Sequence, residues 1–266
     1  SVALFLQSAQ RVRPDFSPPP ADQEAIRQIC QLVDGMPLGI ELAATWVRLL
    51  SCHEIVHEIQ RSLDFLSTTL RNLPARHRSL RAVFDQSWGL MTAQEQQVFR
   101  QLACFRGGFT RVAAEQVGGA TLPMLAALAD KSLLQQMSAG RFGLHQLLHH
   151  YAQERLEEAG ETVTIRQQHL CFFLAYAEGD GPTYVRSPAW LAQIAAEYEN
   201  LWMALQWAAT GGTVESGLRL AFSLHVYWEM RGYWREEYEW LTRLLALPTA
   251  ELPTLIRARV LTHAGK

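Results

Sequence analysis

Two places in this 266-residue chain carry residue types that could recognise a ligand. The first is the run Asp34-Gly35-Met36-Pro37-Leu38, where a Gly-x-Pro turn divides one apolar stretch from the next. Gly35 lets the backbone leave the preceding helix, and Pro37, with no N–H and a fixed φ, suits the first turn of a new one. A proline ring beside a backbone carbonyl at a helix start is a flat apolar surface plus an acceptor, and an adenine base can use both. Met36 and Leu38 would line the same surface. The spacing also serves as ordinary helix punctuation, and one residue can fill both roles. The second place is His145, at the end of an expected strand and just before a helix, from which an imidazole can reach another domain. A histidine in an apolar run can equally be a satisfied structural residue. His149 and His150 follow one turn on, but His145 and His149 lack the Glu that a metalloprotease helix needs.

Other chemistry is missing. No Gly-x-x-x-x-Gly-Lys-Ser/Thr loop is present to cradle phosphates, and no apolar strand ends in paired acids to hold magnesium. Gly107-Gly108 and Gly118-Gly119 have no Lys-Ser/Thr after them. There is no Gly-x-Ser-x-Gly elbow, and no cysteine stands with an expected base. No catalytic role is therefore expected, and no ATP hydrolysis. Cys30, Cys52, Cys104 and Cys171 are scattered without a Cys-x-x-Cys pair, so buried free thiols are expected and no metal site. A net charge of −2 supplies no basic field for nonspecific DNA or an anionic membrane. No apolar run approaches the roughly 20 residues of a membrane span, and the first residues lack a signal-peptide pattern. A reducing cytoplasm is the expected setting.

The elements that would position these residues are mainly helical. With 48% hydrophobic and 19% charged residues, the chain reads as several small cores. Helical periodicity predicts helices over 2–12, 22–32, 37–50 and 53–62, the last capped by Ser51, within a compact helical domain over 1–70. Residues 71–160 predict helices at 79–89, 93–103, 111–117 and 121–131, with Thr92 and Glu95 as a capping box. The period then changes: 132–137 and 141–145 flank Gly140 as a β-hairpin, and a helix over 146–159 closes the unit. Three helices followed by a hairpin is winged-helix order. From 161 to 266 the pattern is helical again, with helices at 164–178, 188–210, 214–230, 234–246 and 254–266. Gly232 permits a tight reversal in this aromatic-rich region. The stripe Trp190, Tyr198, Trp202, Trp207, Tyr227, Trp228, Trp234 and Trp240 can be solenoid core or line a groove. Arg71, Arg76, His77, Arg78 and Arg81 form a basic linker that can touch phosphate or stay solvated.

Several runs resemble one family in order. Gly35-Met36-Pro37-Leu38 resembles the Gly-Leu-Pro-Leu-Ala motif of the STAND (NB-ARC-like) signalling ATPases, which include bacterial transcription regulators. Leu73-Pro74-Ala75-Arg76 with Leu80-Arg81 is similar to their linker, and 95–109 to the first helix and turn of their winged-helix domain. Gly143-Leu144-His145-Gln146 is similar to their Met-His-Asp motif, with Gln146 in place of the usual Asp. Glu197-Tyr198-Glu199-Asn200-Leu201 resembles the helix that leads into their tetratricopeptide-like (TPR) repeats. The resemblance implies a mainly α fold: a helical lid domain (1–70), a winged-helix domain with one hairpin (71–160) and the start of a TPR-like array (161–266). It implies ADP or ATP in the full-length protein, with Gly35, Pro37 and Leu38 near the base and His145 near the β-phosphate. The partners it implies are an upstream P-loop domain of the same chain and an inducer or protein at the repeats. This segment alone would hold no tightly bound nucleotide and would be a monomer. It reads as a piece of a longer protein, a regulatory switch segment controlling transcription. A second reading is a DNA-binding winged helix, although 121–131 offers almost no side chain for base edges. A third is a protein-binding scaffold without nucleotide control.

Overall fold

A computed structural model describes residues 1–19, 22–67, 79–137, 140–179 and 187–247. The linker residues Arg71, Arg76, His77 and Arg78, the hairpin residues Ser138 and Ala139, and the helix expected over 254–266 lie outside them. The helices run α1 (Val2–Val12), α2 (Asp22–Leu32), α3 (Pro37–Ala44), α4 (Cys52–Arg61), α5 (Leu80–Gly89), α6 (Ala93–Gln101), α7 (Arg111–Gly118), α8 (Leu122–Asp130), α9 (Gln146–Glu158), α10 (Thr162–Glu178), α11 (Pro188–Ala196), α12 (Tyr198–Thr210), α13 (Val214–Arg231) and α14 (Trp234–Leu245). Three short strands, β1 (Phe109–Thr110), β2 (Gln135–Gln136) and β3 (Arg141–Gly143), form a sheet in the order β1-β3-β2. The fold is mainly α. In chain order these elements run α6-β1-α7-α8-β2-β3.

Two compact units emerge. The first comprises Ser1–Arg100, Ala126–Gln135 and Leu144–Arg155. Within it α1 packs on α3, and α2 packs on α4. Phe5, Ile26, Ile29, Ile40, Ile55 and Ile59 are fully buried there, each contributing about 2 kcal/mol by its removal from water. Ser51 caps α4 in a reciprocal box: its hydroxyl accepts from the Glu54 amide, and the Glu54 carboxylate accepts from the Ser51 amide. The box at Thr92 and Glu95 forms in the same way. Farther along, the Tyr151 hydroxyl and the Arg155 guanidinium both donate to Asp85 Oδ1 at 2.8 Å, beside the Phe84 ring.

The second unit comprises Gln101–Leu125, Gln136–Gly143 and Leu156–Lys266, of which residues 248–266 lie beyond the described part. Here α10 is the central helix, against which α7, α12 and α13 pack, while α13 also packs on α14. Strands β1 and β3 are antiparallel, with Phe109 opposite Phe142 and Thr110 opposite Arg141. Trp228 is fully buried and its indole donates to the Tyr198 hydroxyl at 2.7 Å.

Three expectations need correction. The helix expected over 37–50 ends at Ala44 and tightens into a 3-10 turn over Thr45–Arg48, because the Thr45 hydroxyl bonds back to the Leu42 carbonyl and Trp46 turns to stack on Phe65 at 4.7 Å. The helix expected over 188–210 breaks at Glu197, whose side chain is drawn into a buried polar cluster described below. The hairpin is a three-stranded sheet: residues 132–134 are not strand, and β1 supplies the third member. A two-residue strand carries no readable alternation, so periodicity had nothing to detect.

Candidate functional site

The turn after α2 is built from two consecutive left-handed residues, Asp34 (φ 47°) and Gly35 (φ 67°). The Gly35 amide closes the helix by donating to the Cys30 carbonyl at 2.8 Å, and the Met36 amide donates to the Val33 carbonyl at 2.9 Å. Asp is one of the few residues besides Gly that tolerates this backbone region. Pro37 then begins α3, and the Met36 carbonyl accepts the first helical bond, from Ile40, at 3.0 Å. Gly35 and Pro37 are exposed, and Met36 and Leu38 are half-buried. The turn thus presents the proline ring outward on a fixed backbone.

His145 stands immediately before α9, its carbonyl accepting from the His149 amide at 2.7 Å. The residue is 9% exposed. Its Nε2 lies 2.6 Å from Asp34 Oδ2, out of line for a hydrogen bond, so the contact is one of charge and proximity. Nδ1 is enclosed and has no partner. Burial holds the imidazole below its ordinary pKa, against the opposing pull of the Asp34 charge. The same Oδ2 also accepts from Gln135 Nε2 at 3.0 Å, across 101 residues of sequence. The structure therefore ties the turn that carries Gly35 and Pro37 to His145 through Asp34. The sequence assigns no role to the Asp34 carboxylate or to Gln135. Asp-Gly signals a turn, yet nothing in the chain order aims that carboxylate at a histidine so far downstream.

A second polar cluster lies within the other unit. Glu197 is 3% exposed and Asn200 is fully buried. The Glu197 carboxylate pairs with the Arg141 guanidinium and accepts from Asn200 Nδ2 at 2.8 Å. Asn200 Nδ2 also donates to the Gly108 carbonyl at 2.9 Å, and its Oδ1 accepts from the Arg106 amide at 2.8 Å. Arg141 Nη2 donates to the Gly108 carbonyl at 3.0 Å. Gly108, at φ 86°, is fixed by close approach: a Cβ there would sit 2.8 Å from the Phe142 carbonyl oxygen. Every charge in the cluster is paired and hydrogen-bonded, as burial demands. Through these contacts Glu197 and Asn200 anchor the 106–108 turn and strand β3.

Among the described residues no group of three or more His, Cys, Asp or Glu is placed to hold a metal ion. Among them no single helix is long and apolar enough to cross a membrane.

A mainly helical chain with one small antiparallel sheet is thus the class that the geometry defines. The chain is similar over nearly its whole length to transcriptional regulators. Two proteins named "putative HTH-type transcriptional regulator", from Mycobacterium tuberculosis and Mycobacterium bovis, are each 32% identical to it over 98% of its residues. It spans 31% of their length, about a third. An uncharacterized protein of M. tuberculosis is 32% identical over 60% of this chain and 44% of its own. No family model matches the chain. No solved structure matches it.

Proposed function

We propose that this chain is the regulatory segment of a nucleotide-controlled transcriptional regulator. In this reading ADP is held in the closed state by an upstream P-loop domain together with Gly35, Pro37 and Leu38 at the base and His145 at the β-phosphate. The segment itself performs no catalysis. Inducer binding at the helices after residue 161 loosens the clamp and lets ATP replace ADP, a two-state equilibrium set by differential contacts. The protein works in the cytoplasm. The observation that carries the proposal is the contact between His145 and the turn of Gly35 and Pro37, two motifs far apart in sequence. Similarity to named transcriptional regulators supports the output.

Direct DNA reading by this segment is the weaker alternative. Helix α8 carries no Arg, Lys, Asn or Gln, and Lys131 just after it is paired with Glu95. The test is calorimetric titration of ADP and ATP into the longest natural chain that carries this segment, wild type against His145→Ala. Tight ADP binding that weakens about tenfold or more in the variant is expected, the loss of one charge-assisted phosphate contact. Equal affinity in both proteins would remove His145 from the site.

A further inference from the structure

The Asp34 carboxylate occupies the histidine that the proposed function assigns to phosphate. Both ring nitrogens of His145 are closed to solvent: Nε2 faces Asp34 Oδ2 at 2.6 Å, and Nδ1 is walled in without a partner. As the side chains stand, a phosphate oxygen reaches the imidazole only by taking the place of that carboxylate. The Asp34 side chain is 55% exposed, so it can turn into water at small cost, whereas the imidazole, 8% exposed, cannot. Gln135 Nε2 holds the carboxylate in position from the start of β2. Two anions, the carboxylate and a diphosphate, would also repel each other at this range.

We infer that Asp34 is a built-in competitor for the nucleotide: its carboxylate caps His145 and must be displaced by the β-phosphate of a nucleoside diphosphate, so that Asp34 sets how tightly the closed state is held. The inference rests on the proposed role of His145. It makes Asp34 a tuning residue that weakens ADP binding, the opposite of a ligand. Gln135 assists it by keeping the carboxylate on the ring. A bound phosphate thereby exchanges one anion on His145 for another, and the released Asp34 becomes free to bond elsewhere.

The experiment is ADP titration by calorimetry with the longest natural chain in four forms: wild type, Asp34→Asn, His145→Ala and the double variant. Asn keeps the shape and tolerates the left-handed backbone at this position, and circular dichroism checks the fold of each form. Asp34→Asn is expected to tighten ADP about fivefold, the size of one removed like charge at a half-exposed site, and to change it less than twofold when His145 is already Ala. Gln135→Ala, a surface change that only frees the carboxylate, should tighten ADP about twofold. If His145→Ala weakens binding but Asp34→Asn leaves it unchanged or weakens it, Asp34 supports the histidine and the competition is refuted while the nucleotide site stands. If His145→Ala has no effect, or no form binds ADP, the nucleotide reading itself fails and the inference falls with it.

Discussion

His169 should make this protein acid-sensitive, and its neighbours say by how much. It is 3% exposed on α10, with the Phe173 ring centroid 4.5 Å away and that of Phe105 at 5.3 Å. Nε2 is buried without a partner. Burial, the dominant cause, pushes the imidazole pKa down from 6.5 to about 4, with Arg166 adding to the fall and Asn200 resisting it. The native state therefore holds this histidine neutral across a range in which the unfolded chain protonates it. Stability is fully present above pH 6.5, is lost as the pH falls, and levels off below about 4. Linkage gives a loss of about 2 kcal/mol by pH 5 and a ceiling of about 3 kcal/mol, at about 1.4 kcal/mol per pKa unit. Burial depresses His145 in the same sense, so the His169 share has to be isolated by difference. Urea unfolding of wild type and His169→Leu at pH 7.5 and pH 5.0, followed at 222 nm, does this. Wild type should lose about 2 kcal/mol more than the variant between the two pH values. Equal losses would show that His169 is not held neutral and would refute the reasoning.

Further outcomes follow from other buried groups. Glu197→Ala leaves the Arg141 guanidinium largely buried without its carboxylate and strips Asn200 of one acceptor, so it should destabilise the chain by about 3 kcal/mol in urea unfolding; a cost under 1 kcal/mol would mean that Arg141 finds water instead. Cys30, Cys52 and Cys104 are buried, and burial raises their thiol pKa values, Cys52 to about 11, whereas Cys171 is exposed on α10. Native protein treated with an aromatic disulfide at pH 8 should release about one equivalent of thiolate quickly, and Cys171→Ser should abolish that fast phase. Rapid reaction of two or more thiols would contradict this packing.

The sequence alone determined that the chain is mainly helical and where its capped helices start. Ser51 with Glu54, and Thr92 with Glu95, are local hydrogen-bond exchanges over three residues, so they can be read wherever they occur. Gly35 and Pro37 likewise act through their own backbone, one by accepting a left-handed φ, the other by starting α3. Local chemistry also fixed the strand-then-helix setting of His145. Tertiary structure decided what these pieces touch. Asp34 meets His145, and Gln135 meets Asp34, only because the folded chain brings distant segments within 3.0 Å, and no short-range pattern encodes that approach. The break at Glu197 has the same origin: residues 188–210 have continuous helical periodicity, but a buried carboxylate must be paired, and its partner Arg141 lies 56 residues earlier. Strand β1 exists because β3 offers it a ladder, with Phe109 set against Phe142, and two residues have no strand preference of their own. Propensity and capping are properties of neighbours in sequence, while the pairing of buried charge is a demand that only the complete fold can meet.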